Sequence, residues 1–153
     1  MSMTRGYLID TNALSILAPR TPSPRATTSA VPAFSAWLRD HGENLFLSVI
    51  TLAEIQAGVS RLERKGAAKR AADLSRWLSA VLELYQSRTL PLASDAALEA
   101  GRMLDRAAGA GAAPGFEDAA IAATASVHGL TVVTANARHF RHFGVPFISP
   151  PTE

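Results

Sequence analysis

Four short apolar runs without alternation recur along the chain: Tyr7-Leu8-Ile9, which stops at Asp10, and the runs at residues 44–48, 89–92 and 130–134. Runs of this length that are apolar at successive positions mark strands buried on both faces. Between them the apolar spacing changes to a helical period, which predicts helices over residues 31–40, 51–64, 67–85, 95–108 and 116–128, with a short first helix over 13–18. In the 51–64 segment Leu52, Ile55, Val59 and Leu62 fall on one stripe. Buried strands separated by helices imply an α/β protein with a central parallel sheet covered on both faces.

Two segments interrupt this rhythm. Residues 19–29, with Pro19, Pro22 and Pro24, cannot be a helix interior and are expected to form an exposed insertion. Residues 109–115, Gly-Ala-Gly-Ala-Ala-Pro-Gly, are expected to be a loop leading into the 116–128 helix. Neither is a domain boundary and no internal repeat is found, so residues 1–153 are expected to form a single domain. Such a chain is long enough to bury roughly 70% of its unfolded surface.

Composition narrows the chemistry. Hydrophobic residues make up 48% of the chain and charged residues 18%, a balance that excludes a disordered or coiled-coil protein. The absence of cysteine excludes disulfides, thiolate zinc sites and thiol catalysis, leaving carboxylates, imidazoles and hydroxyls. The longest small-apolar stretch, residues 119–127, is too short to span a bilayer, so a soluble, cytoplasmic protein with no membrane partner is expected. The net charge is only +2, but the cations are clustered. Arg61, Arg64, Lys65, Lys69, Arg70 and Arg76 form one group, and Arg138-His139-Phe140-Arg141-His142 another. Either could be no more than a solvated helix face.

Polar residues that directly follow buried strands are best placed for function, because ligands of open α/β sheets bind outside the carboxyl ends of the strands. Asp10 ends the first run, Asn136 follows the 130–134 run, and Glu54 lies about one turn into the helix after the second. Taken by itself, the same rule sends Asp118, whose helix feeds the 130–134 run, to the opposite edge. Each residue also has a local reading. Asp10 and Asp95 could be helix N-caps, and Thr51-x-x-Glu54 spells a capping box. Glu117 and Asp118 both suit a helix N-terminus, and local reasoning does not say which faces inward.

The order of the motifs resolves the choice. Leu8-Ile-Asp10-Thr-Asn12, Ser48-Val-Ile-Thr-Leu-Ala-Glu54-Ile-Gln-Ala-Gly58, Glu117-Asp118-Ala-Ala-Ile-Ala-Ala-Thr-Ala125 and Leu130-Thr-Val-Val-Thr134-Ala-Asn136 together resemble the PIN-domain family, most closely the VapC/FitB-type toxins of bacterial toxin–antitoxin pairs. The resemblance implies a three-layer α/β/α sandwich, an acidic pocket holding Mg²⁺ or Mn²⁺, and endoribonuclease activity that leaves a 5′-phosphate and a 3′-hydroxyl. It brings the Asp118 helix to that pocket. By position it assigns Asp10, Glu54 and Asp118 as metal ligands and Asn136 to the catalytic set, with Thr134 and Asn12 supporting the site. It further implies a small antitoxin partner, an RNA substrate and a homodimer.

Three departures stand out. Asn136 is neutral, which favours one metal in the resting site. Ala135 stands where relatives often carry a basic residue, and the 19–29 insertion is long. Arg138, His139, Arg141 and His142, which directly follow Asn136, are the first choice for contacts to the RNA backbone, Arg138 and Arg141 foremost, with a solvated helix face the other reading of the two histidines. The helices at 51–64 and 67–85, with Trp77, Leu78, Leu82 and Tyr85, could supply an apolar groove for the antitoxin, or those residues could be ordinary core. Other readings fit less well. A phosphoacceptor domain needs a lysine at the end of a late strand, and Lys65 and Lys69 both lie in a helical stretch. A haloacid-dehalogenase-like phosphatase wants Asp-x-Asp where Asp10-Thr-Asn12 stands. A PIN fold whose catalysis has lapsed, serving as an RNA- or protein-binding module, is the remaining alternative.

Overall fold

The computed structural model describes residues 5–20 and 30–152. Most of the 19–29 segment lies outside them; Pro19 and Arg20 are exposed. Among the described residues the strands are β1 (Tyr7–Ile9), β2 (Leu45–Ser48), β3 (Thr89–Leu90), β4 (Thr131–Val133) and β5 (Phe147–Ile148). The helices are α1 (Thr11–Leu14), α2 (Ala30–His41), α3 (Val49–Arg64), α4 (Ala68–Tyr85), α5 (Ser94–Gly109), α6 (Phe116–His128) and α7 (Ala137–Phe140). All strand pairs are parallel, in the order β3-β2-β1-β4-β5.

That order has a consequence for function. The chain moves outward from β1 through β2 to β3, then returns to the other side of β1 for β4 and β5. The reversal lies between β1 and β4, and the carboxyl ends of those two strands border the crevice where α/β sheets bind ligands.

Strand alternation divides the interior in two. Leu8 and Val132 point to one face, where they meet the buried faces of α5 and α6 together with Phe140 and Phe143. Ile9, Leu45, Leu47 and Val133 point to the other, where they meet Ala13, Leu14, Phe34, Ile55, Leu78, Val81 and Tyr85. Helices therefore cover both faces, giving the expected three layers. Helix α6 is the most enclosed element. Residues 119–125 are all buried, and five of the seven are alanine, so neighbouring backbones can approach closely.

Several sequence expectations are corrected. The first helix begins at Thr11 and tightens into a 3-10 turn at Ser15–Leu17, because Asp10 accepts the Thr11 N–H at its start. The capping box at Thr51 and Glu54 does not form. Ser48 caps α3, its hydroxyl accepting the Ile50 N–H at 3.0 Å, and Glu54 is left in the second turn. Ala93 is the N-cap of α5, and Asp95 lies in the first turn, accepting the Ala96 N–H at 2.7 Å. Strand β5 was not predicted from the sequence, since two residues after Pro146 carry no periodicity to read. Leu78 and Tyr85 belong to the core, and Leu82 is partly exposed. The apolar groove near them runs between α1, α2 and α4, lined by Leu14, Leu17, Leu38, Trp77 and Leu84, without contribution from α3.

Two glycines are required by the backbone. Gly129 ends α6 in the left-handed conformation and turns the chain into β4. Gly6 holds φ at 147°, and a Cβ there would stand 2.4 Å from the carbonyl oxygen of Asn44. Gly6→Ala is therefore expected to destabilise the protein by about 2–3 kcal/mol in urea denaturation. A loss under about 0.5 kcal/mol would show that β1 can shift relative to β2 without cost.

Candidate active site

Asp10 is the first residue past β1 and is 2% exposed. Its N–H donates to the Val133 carbonyl at 2.9 Å, extending the ladder across the sheet's reversal point. Its two carboxyl oxygens are held separately: the Thr11 N–H donates to Oδ1 at 2.9 Å and the Thr134 hydroxyl to Oδ2 at 2.8 Å. Thr134 is the first residue past β4; its hydroxyl also accepts the Asn136 N–H at 3.0 Å, and its own N–H donates to the Ile148 carbonyl. Both ends of the crevice are thus tied to one carboxylate.

Asn12 supports this arrangement from one step further out. Its Oδ1 accepts the Ala135 N–H at 2.9 Å and so fixes the 134–136 turn, leaving the direct contacts on Asp10 to Thr11 and Thr134. Asn136 is exposed and contributes through its N–H.

Glu54 reaches the same region through Thr11. The Thr11 hydroxyl lies 2.7 Å from Glu54 Oε1 and 3.0 Å from the buried Thr51 hydroxyl. Because a carboxylate can only accept, the Thr11 proton goes to Glu54. Thr11 therefore touches two carboxylates at once, one through its N–H and one through its hydroxyl.

The placement rule taken by itself sent Asp118 to the opposite edge, whereas the resemblance implied the pocket, and the direction of α6 explains why the rule fails. A helix that leads straight into a parallel strand runs antiparallel to it, so its first turn lies at the strand's carboxyl end. Asp118 Oδ2 accordingly lies 3.0 Å from Nδ1 of His139, in α7 just beyond β4. Glu117 is exposed, which answers which of the two acids faces inward. A face exposed to solvent was one reading of the Arg138–His142 group; Phe140 is buried and His139 is in contact with Asp118, while Arg138, Arg141 and His142 line a cavity of about 330 Å³ with residues 112–115.

The electrostatics show how closely the carboxylates are coupled. Burial pushes Asp10 up to about 6 from an ordinary 3.8; the Thr134 and Thr11 hydrogen bonds oppose this, and the charges of Asp118 and Glu54 add to it. Glu54 is also raised, first by loss of solvent and then, against the Thr11 hydrogen bond, by the charges of Asp118 and Glu117. Among the described residues, no three acidic or imidazole groups converge tightly enough to enclose an ion by themselves. The donors are hard oxygens held as ionisable carboxylates. That set fits Mg²⁺ or Mn²⁺, which need only one or two carboxylates and keep several waters. Thr11 and Thr51 were not singled out as site residues in the sequence, and His139, expected at the RNA backbone, instead contacts Asp118. For Thr11 and Thr51 the available signal was a hydroxyl adjacent to, or one turn from, a candidate acid.

The sequence matches the PIN domain family over residues 7–145. It is 31% identical over 143 residues to VapC ribonuclease Y4jK of Sinorhizobium fredii, covering 94% of this chain and 96% of that protein. The fold is similar to the crystal structure of FitAcB from Neisseria gonorrhoeae, with a TM-score of 0.76 and 32% identity over 94% of this chain and 97% of that one. DNA-bound VapBC from Salmonella typhimurium shares the fold at a TM-score of 0.76 and 21% identity, covering 95% and 98% of the two chains. With the acidic crevice at the β1/β4 reversal and these similarities over nearly its whole length, the chain belongs to the PIN-domain family.

Proposed function

We propose that the protein is a divalent-metal-dependent endoribonuclease acting as the toxin of a toxin–antitoxin pair in the cytoplasm. The observation that carries this reading is the coupling of Asp10, Glu54 and Asp118 at the β1/β4 crevice. Two of the three are lifted by burial and mutual repulsion, a state that a cation relieves. The ribonuclease name of the relative at 31% identity and the toxin–antitoxin complexes among the similar structures support it. PIN nucleases in general use a divalent metal.

Asp10, Glu54 and Asp118 would hold Mg²⁺ or Mn²⁺, which when bound would supply Lewis-acid polarisation of the phosphoryl oxygen and activation of the attacking water. In the hydrolysis, water gives up a proton as its oxygen bonds to phosphorus, the bond to the 3′-oxygen breaks, and that oxygen takes up a proton, leaving a 5′-phosphate and a 3′-hydroxyl. Thr11 and Thr134 keep the Asp10 carboxylate from turning. Asn136 adds a neutral amide at the rim. Arg138 and Arg141 would hold the RNA backbone from the neighbouring cavity. A small antitoxin and a second copy of the chain are the expected protein partners. The whole span 1–153 is taken as one PIN domain. No helix among the described residues is long and apolar enough to cross a membrane.

Purified protein is expected to cleave a mixed RNA pool with Mg²⁺ or Mn²⁺ and to lose that activity in EDTA. Asp10→Ala, Glu54→Ala and Asp118→Ala are each expected to reduce cleavage at least ~100-fold while the fold is retained by circular dichroism. Wild-type protein produced alone should arrest growth, and the protein encoded beside it should relieve the arrest. RNA binding without cleavage would support the lapsed-catalysis reading instead.

The raised Asp10 also sets a pH dependence. Between about pH 4 and 6 the folded metal-free protein keeps a proton that the unfolded chain has lost, so stability falls as pH rises through that window. The full effect is about 3 kcal/mol. In EDTA, Asp10→Asn should melt above wild type at pH 7, with the difference shrinking toward pH 4. Equal melting temperatures at both pH values would contradict the burial of a strained carboxylate.

Arg138→Ala and Arg141→Ala are each expected to weaken RNA binding and to flatten its dependence on salt by about one counterion, leaving metal binding unchanged. An unaltered salt slope would move the RNA contact to the Arg61–Arg76 group.

A further inference from the structure

Asp118 has a partner that the proposed chemistry does not use. His139 Nδ1 lies 3.0 Å from Asp118 Oδ2, and because an ionised carboxylate can only accept, Nδ1 carries the hydrogen of that bond. The imidazole is well placed to hold its orientation. Helix α7 is pinned by Phe140, which is 0% exposed and stacks edge-to-face on Phe143, and it starts at Asn136, whose N–H is bonded to Thr134. The backbone on either side of His139 is therefore fixed by the core and by the same hydroxyl that orients Asp10.

The surroundings explain why such a restraint matters. Arg138 and Arg141 line the cavity that His139 also borders, and a carboxylate at the start of α6 that was free to rotate would be drawn toward them. A hydrogen bond to one oxygen holds the carboxyl plane in place and leaves the second oxygen available. We propose that His139 is a positioning residue for Asp118, fixing Oδ2 so that the carboxylate cannot rotate freely and its second oxygen is left for the crevice shared with Asp10 and Glu54. The inference rests on the metal-dependent nuclease reading, and it assigns His139 a role through Asp118 with no contact to substrate. Outer hydrogen bonds of this kind change metal affinity or activity by about 10–100-fold when removed.

The atom used gives the test its selectivity. An asparagine side chain places an amide nitrogen near the position of Nδ1, whereas a glutamine reaches the position of Nε2. Mn²⁺ binding to the full chain without RNA, followed by electron paramagnetic resonance of the free ion, reads the effect directly, and kcat and KM for cleavage of a short RNA read it in turnover. His139→Ala and His139→Gln are expected to weaken Mn²⁺ binding about tenfold and to lower kcat with KM within about twofold. His139→Asn is expected to stay within about threefold of wild type in both. Circular dichroism confirms that each variant is folded. Unchanged Mn²⁺ affinity in His139→Ala, or a rise in KM with kcat unchanged, would overturn the positioning role while leaving the nuclease reading intact. Failure of the wild type to bind Mn²⁺ at all would overturn both.

Discussion

Burial of a carboxylate at one edge of the sheet, beside two others that add to its cost, is the constraint on which the rest of the structure turns. Asp10 is almost fully buried, with Glu54 and Asp118 near enough to raise its pKa further. A buried acid normally avoids this cost by pairing with a cation, yet among the described residues no basic side chain bonds to Asp10. Three threonine and asparagine side chains and a few backbone N–H groups hold the geometry instead. These groups orient oxygens without neutralising them, so the negative charge at this edge is left uncompensated.

The scaffold is arranged to sustain that edge. β1 and β4 lie side by side only because the chain reverses direction in the sheet, and their first residues past the strands are Asp10 and Thr134. Alternation along the strands splits the core so that helices cover both faces. The alanine-rich α6 packs closely enough to bring Asp118 to the same edge, and the α3 cap at Ser48 places Glu54 one turn in from the β2 end. The two helices that carry acids thus start at the crevice, where the N-terminal ends of their dipoles also favour negative charge.

Much of this was legible in the sequence. The unalternating runs located β1, β2 and β4, helical spacing located α2 to α6 within a few residues, and the ordered motifs pointed to Asp10, Glu54, Asp118 and the PIN fold. What escaped has physical reasons. Strand β5 is two residues of pairing supplied by the sheet and not by its own pattern. The Thr51 capping box lost to Ser48 because β2 passes into α3 without a loop. The edge occupied by Asp118 follows from helix direction, which local placement did not take into account. Thr11 and His139 take their meaning from contacts made 43 and 21 residues away in the chain.

The central claim is that Asp10 is a strained, ionisable carboxylate whose charge a divalent ion relieves. The most direct test is a pH titration of the Asp10 carboxyl carbon by nuclear magnetic resonance, assigned through Asp10→Asn, first in EDTA and then with saturating Mg²⁺. The account predicts a midpoint near 6 without metal and a fall to below the ordinary carboxylate range with it. A midpoint near 4 in EDTA, or one that Mg²⁺ does not move, would contradict it.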